Sequence, residues 1–168
     1  KFRIASNEYL RGKIYDLYLS QFLAEMEEEN KNFANEIPVP VYDLKKKIIG
    51  IADKLLNKSI NLNEIRPSEM GVPVENSLPY FNQIIEKVIV PSEKEYMDSV
   101  HLNNDIDLKE CIILLNEILK NRDGKLEDLK IRYLFIDEFQ DTDDVQIRVF
   151  QKLQKAMNSE CRLFVVGD

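Results

Sequence analysis

Histidine and cysteine are nearly absent from this chain. His101 is the only histidine among 168 residues, so a histidine-based catalytic triad or a multi-histidine metal site is impossible within the sequence. Cys111 and Cys161 are the only cysteines, and they lie in no CxxC or Cys/His pattern. This favours reduced thiols in a cytoplasmic setting over disulfides or zinc. No apolar run approaches the roughly 20 residues of a membrane span, so we expect no membrane association.

Glycine is also scarce, and the Gly-rich loop that holds nucleotide phosphates is missing. No G-x-x-x-x-G-K-[ST] pattern occurs, since Gly12-Lys13 lacks both the preceding Gly-rich loop and a following Ser or Thr. The sequence therefore offers no backbone cradle and no lysine for a triphosphate. The formal net charge of −7 argues against a free-standing nucleic-acid binder. The basic run Lys45–Lys47 is best interpreted as a solvated helix face.

Helical periodicity dominates the first three quarters of the sequence. The spacing of apolar residues predicts an amphipathic helix over 6–29, with Ser6 as its N-cap. A second helix follows the proline-containing connector 35–42, which cannot itself continue a helix. Pro79 begins a third predicted helix, and Pro91 is expected to break it.

The pattern changes near residue 128. Residues 131–136 and 163–166 are continuous β-favouring apolar runs, and 142–157 between them is helical, with Thr142 as a plausible cap. Strands that are apolar on both faces are typical of a buried parallel sheet, and the helix supplies the crossover that parallel strands require.

We therefore expect a mainly α fold with a small parallel β part. Residues 1–128 form a helical region, and residues 129–168 form one β-α-β unit. Because a two-stranded parallel sheet cannot bury itself, this unit looks truncated and the chain is expected to be a piece of a longer protein.

Acidic residues lie where both predicted strands end. Asp137-Glu138 follows the first strand, and Gly167-Asp168 follows the second. Ligands of open α/β sheets bind at the carboxyl ends of the strands. One carboxylate can hold magnesium through hard oxygen ligands, and its neighbour can activate the water that attacks a γ-phosphate. The simplest alternative for an apolar run followed by Asp-Glu is a polar turn that ends a strand.

The residues around the first pair carry a more specific pattern. The string continues as Phe139-Gln140-Asp141-Thr142, Gln146 follows, and a second strand ends in Gly-Asp. This combination resembles motifs II and III of the superfamily 1 DNA helicases, the UvrD/Rep group that includes AddA and RecB. The resemblance implies that the second part belongs to a RecA-like P-loop NTPase domain and that the first is its helical accessory subdomain.

The resemblance also implies roles for individual residues. Asp137 matches the magnesium-side aspartate of motif II, and Glu138 matches its catalytic base. Gln140 and Asp141 match the rest of that motif, which links nucleotide state to neighbouring motifs, and Asp168 matches the start of motif III. ATP and Mg²⁺ are then cofactors of the full-length protein, while this piece alone is expected to bind neither and to be inactive.

Two upstream segments are similar to the same family. The run 106–112 is similar to the family's Leu-Asp-Phe-Asp-Asp-Leu-Leu segment, and 2–6 looks like the start of an accessory subdomain of the AddA/RecB (exonuclease V) type.

The family implies ATP-driven translocation on single-stranded DNA and duplex unwinding in repair or recombination, with a possible partner subunit of a helicase–nuclease complex. The alternatives are a non-catalytic DNA- or partner-binding helical module and an unrelated α/β phosphatase or receiver-like domain.

Overall fold

The computed structural model describes residues 3–31, 33, 39–58, 60, 62, 65–66, 80–121, 131–157 and 161–168. They form two compact units, the first of Lys1–Leu56 with Ile60–Asp107 and the second of Asn57–Ser59 with Leu108–Asp168. Helices dominate and the strands form two small parallel pairs, which confirms the predicted fold class. The predicted boundary near 128 and the helix start at Pro79 lie outside the described residues, and the division into domains stays a prediction.

The elements up to Asp107 are mostly helical. In chain order they are β1 (Arg3–Ile4), α1 (Glu8–Glu29), α2 (Val41–Asn57), α3 (Phe81–Ile84), a π-helical turn (Ile85–Ile89), α4 (Val90–Leu102) and β2 (Asp105–Ile106). The predicted N-cap of α1, Ser6, is wrong by one residue. Asn7 is the cap, because its Oδ1 accepts a hydrogen bond from the Leu10 N–H at 2.9 Å. No described helix is long and apolar enough to cross a membrane.

Pro91 does not break the helix as predicted. It lies in the first turn of α4, directly after the π-helical turn Ile85–Ile89, and helical structure runs on from Phe81 to Leu102. In the π turn the Val90 N–H donates to the Ile85 carbonyl, one residue further back than in an α-helix. A proline is tolerated in the first turn of a helix, and the π turn supplies such a start within a longer helical run.

A charged cluster is buried in the first unit, where α1, α2 and α4 contribute to it. Arg11 is 2% exposed and Glu93 is 3% exposed. The Arg11 Nε and Nη2 atoms donate to Glu93 Oε1 at 2.9 and 2.5 Å, and the Tyr15 hydroxyl donates to the same oxygen at 2.6 Å. Arg11 Nη2 also lies 2.9 Å from Asp53 Oδ1. Sequence patterning gave no sign of this cluster, because arginine and glutamate are rarely buried.

The two strands of the first unit bring its beginning beside the end of α4. β1 and β2 are parallel, and the Arg3 guanidinium donates two hydrogen bonds of 2.9 Å to the Asp105 carboxylate. Tyr96 on α4 adds a second connection, since its hydroxyl donates to Asp107 Oδ2 at 2.7 Å and accepts from the Asn7 N–H at 3.1 Å. Asp107, which matches the family segment 106–112, is therefore a buried structural acceptor in this unit.

The second unit contains the β-α-β arrangement that the sequence predicts. Its elements are α5 (Leu108–Asn121), β3 (Tyr133–Ile136), a 3₁₀ turn (Phe139–Asp141), α6 (Asp144–Ala156) and β4 (Arg162–Val165). β3 and β4 pair in parallel, and α6 is the crossover. Helices α5 and α6 pack through a core that includes Leu119, Val145 and Val149.

The prediction that both faces of this sheet are buried is wrong for the described residues. Ile136 is buried, but Tyr133 and Phe135 on the opposite face are 56% and 69% exposed, and the rings of Phe135 and Phe164 stack at 4.9 Å. Successive side chains of a strand point to opposite faces, so one face of this two-stranded sheet packs against the unit and the other is open.

Candidate functional site

The carboxyl ends of β3 and β4 lie side by side, as their parallel pairing requires. Ile136 is in register with Val165, and the Val166 N–H donates to the Ile136 carbonyl at 2.9 Å. The chain after β3 then turns back, and the Phe139 N–H donates to the Val166 carbonyl at 2.9 Å. The acidic segments that follow the two strands are therefore held at one edge of the sheet.

Glu138 adopts an unusual backbone conformation at this edge. Its φ of 51° and ψ of 45° lie in the left-handed region, which costs a non-glycine residue roughly 1–2 kcal/mol. The Glu138 N–H donates to Asp137 Oδ1 at 3.0 Å, and the 3₁₀ turn that follows is closed by the Thr142 hydroxyl, which donates to the Phe139 carbonyl at 2.7 Å. Such strained residues often occur at functional sites. Here the left-handed residue lies directly at the start of the 3₁₀ turn that follows β3.

The Gln140 side chain joins the two acidic segments. Its Nε2 donates to Glu138 Oε2 at 2.5 Å, and its Oε1 accepts from the Asp168 N–H at 3.3 Å. One carboxamide thus contacts the side chain of one predicted site residue and the backbone of another. The resemblance predicts a linking role for Gln140, but no sequence pattern predicts these two bonds.

The remaining predicted residues lie on the same turn, and one predicted cap is wrong. The Asp141 N–H donates to the Glu138 carbonyl at 2.9 Å, and its side chain is exposed. Thr142 is not the cap of α6. Asp143 is, because its Oδ1 accepts from the N–H groups of Val145 and Gln146 at 2.9 and 2.8 Å, and Gln146 Oε1 accepts from the Asp143 N–H at 3.1 Å. This reciprocal pair is a capping box, so the Gln146 side chain stabilises the start of α6.

The edge is acidic and open. The side chains of Asp137, Glu138 and Asp168 are all exposed, so their charges face water. Within the part of the chain that the structure describes, no group of three or more His, Cys, Asp or Glu side chains converges on a position for a metal ion. A single carboxylate such as Asp137 nevertheless fits magnesium, which binds through one or two carboxylates together with water and substrate phosphates.

Comparison with known proteins identifies the class to which this fold and this strand edge belong. The family model for the UvrD/REP helicase N-terminal domain matches residues 2–168 of the sequence. The chain therefore belongs to the UvrD-like family of superfamily 1 helicases, whose members bind ATP and DNA. Searches of curated proteins and of solved structures gave no match.

Proposed function

We propose that this chain is part of an ATP-dependent DNA helicase in which the edge formed by β3 and β4 is the carboxylate side of the ATP site. The observation that supports it best is the placement of Asp137-Glu138 beside Gly167-Asp168 at the carboxyl ends of two parallel strands. Family membership supports the same interpretation. The phosphate-binding loop that this sequence lacks would belong to another segment of the full-length protein.

The proposed chemistry divides between the two neighbouring acids. Asp137 would hold Mg²⁺, which neutralises phosphate charge when it is bound. Glu138 accepts the proton of the water that attacks the γ-phosphate, and its backbone adopts the left-handed conformation just after β3. Gln140 and Asp141 transmit the state of the nucleotide toward Asp168 and the segment that follows it.

The proposed biological role follows the family. We propose that hydrolysis drives translocation on single-stranded DNA and the unwinding of duplex DNA in repair or recombination, in the cytoplasm. An AddA/RecB type of protein, with a partner subunit in a helicase–nuclease complex, is the subfamily that the first residues of the chain favour. Without a phosphate-binding loop, the 168-residue chain alone should not hydrolyse ATP.

A substitution at Glu138 tests the proposed role. In the full-length protein, Glu138→Gln should lower the kcat of DNA-stimulated ATP hydrolysis by on the order of 10²–10⁴-fold, the usual contribution of a general base, and leave the Kd of the nucleotide unchanged. Asp144→Asn is the matched control, because Asp144 is an exposed acid at the start of α6, beyond the 3₁₀ turn that follows Glu138. Normal turnover by the Glu138→Gln protein would remove Glu138 from this role.

A further inference from the structure

Gly167 lies unusually close to the turn that carries the acidic pair. A Cβ atom at Gly167 would be 2.3 Å from Gln140 Oε1, 3.1 Å from the Phe139 backbone nitrogen and 3.3 Å from that of Gln140. By the same test Gly12 and Gly50, the other glycines that the structure describes, have no atom within 4 Å. The φ of Gly167 does not lie between +20° and +160°, the region that favours glycine, so the need for glycine at this position comes from space and not from backbone conformation.

The two atoms nearest to a Cβ at Gly167 cannot move aside without breaking specific hydrogen bonds. Gln140 Oε1, the nearest atom, accepts from the Asp168 N–H, and Nε2 of the same carboxamide donates to Glu138. The Phe139 nitrogen, the next nearest atom, donates to the Val166 carbonyl and so belongs to the backbone contact between the two segments. A methyl group at position 167 would therefore displace the carboxamide, which is the most mobile of these groups.

We propose that Gly167 is a positioning residue, whose missing side chain leaves the space in which the Gln140 carboxamide connects the Glu138 carboxylate to the Asp168 backbone. The Gln140 side chain then contacts both segments that follow β3 and β4, so a shift of one segment should displace the other. The consequence for catalysis rests on the proposed role of Glu138. The positioning itself does not.

Nuclear magnetic resonance tests the positioning directly. In protein labelled with ¹⁵N-glutamine, Gly167→Ala should move the Gln140 side-chain NH₂ resonances toward those of a solvated glutamine, and the Asp168 amide should exchange faster with solvent. Val166→Ala is the control, because Val166 is an exposed neighbour whose hydrogen bonds with Ile136 and Phe139 use its backbone. Thermal unfolding should be the same in both variants, since these residues are exposed. Unchanged Gln140 resonances in Gly167→Ala would overturn the proposal.

Glu138→Ala separates the two halves of the connection. Alanine removes the carboxylate that accepts from Gln140 Nε2 but leaves Gln140 Oε1 to accept from the Asp168 N–H, so the Asp168 amide should remain protected while the contact at position 138 is lost. Loss of Asp168 protection in Gly167→Ala but not in Glu138→Ala supports steric displacement. Equal protection in Gly167→Ala and the unaltered protein contradicts it.

ATP hydrolysis by the full-length protein links the positioning to the proposed function. Gly167→Ala and Gln140→Ala should each lower kcat roughly tenfold, because each removes a hydrogen bond to a charged group, and the Kd of the nucleotide should not change. The double variant should lose far less than the product of the two single losses, since the added methyl group then meets no carboxamide and only the backbone contacts of 3.1 and 3.3 Å remain. Multiplied losses would overturn the proposal. Shifted Gln140 resonances with a normal kcat would support the positioning and count against the role of Glu138.

Discussion

Replacing Arg11 with methionine should destabilise the first unit far more than the loss of a surface ion pair would. Arg11 and Glu93 are 2% and 3% exposed, and the guanidinium supplies two of the three hydrogen bonds to Glu93 Oε1. In Arg11→Met the buried carboxylate keeps only the Tyr15 hydroxyl, and Glu93 Oε2 already has no hydrogen-bond partner among the described residues. Leaving one member of a buried pair without its partner costs about 3–5 kcal/mol, and we expect a loss in that range.

Removing Glu93 should cost less than removing Arg11, because Arg11 has a second carboxylate partner and Glu93 has, among the described residues, no second guanidinium. In Glu93→Leu the guanidinium keeps the Asp53 carboxylate at 2.9 Å, and that carboxylate is partly open to solvent. We therefore expect Glu93→Leu to be less destabilising than Arg11→Met. The double variant should be more stable than Arg11→Met alone by at least about 1 kcal/mol, because it contains no unpaired buried carboxylate.

Urea unfolding followed by far-ultraviolet circular dichroism gives these free energies, provided that the slope of the transition stays constant among the variants. Lys87→Met is the control, since Lys87 forms an exposed ion pair with Glu25 at 2.7 Å and its loss should cost less than about 1 kcal/mol. If the double variant loses the sum of the two single losses, Arg11 and Glu93 do not stabilise the unit as a pair and the reasoning fails.

Two further predictions concern pH and helix capping. Burial raises the pKa of Tyr15, and the nearby Glu93 carboxylate raises it further. Burial and the hydrogen bond to Asp107 raise the pKa of Tyr96 to about 12. Tyrosine in the unfolded chain ionises near pH 10. The contribution of these two tyrosines to the free energy of unfolding should therefore be full below that pH and fall as the pH rises toward about 12. Urea unfolding at several pH values, together with tyrosinate absorbance, would measure this fall, and a flat profile would contradict it. Asp143→Ala should lower the free energy of unfolding by about 1 kcal/mol through loss of the α6 cap, against a few tenths for Asp144→Asn, and equal effects would exclude Asp143 as the cap.

The strand ends could be predicted because their physical signals are local. An apolar β-favouring run, a long helical pattern and a second such run are sufficient to predict a parallel pair, and parallel pairing brings the two carboxyl ends to one edge. Asp137 and Glu138 follow the first run directly and Asp168 follows the second after Gly167, so the sequence was sufficient to predict their neighbourhood. The capping residues were each missed by one position, since Ser6 and Asn7, like Thr142 and Asp143, are adjacent residues that can all act as caps.

Other features depend on contacts that no local pattern records. Proline inside a helix usually kinks or ends it, but Pro91 follows a π turn and the helix continues through it. No sequence pattern in residues 85–89 marks that π turn. The buried Arg11–Glu93 pair joins residues that lie 82 positions apart in the chain. Such a pair is found only once the two helices are packed, because each side chain alone favours the surface.

The bridge through Gln140 shows why recognising a motif is not the same as knowing its geometry. A sequence pattern treats Gln140 and Gly167 as separate positions in two motifs, whereas in the structure the carboxamide of Gln140 occupies the space that a side chain at Gly167 would fill. The glycine and the glutamine therefore form a matched pair, in which the reach of one side chain requires the absence of the other. It follows that changing either residue alone should disturb both strand ends, and that the effect of Gly167→Ala should depend on which residue stands at position 140.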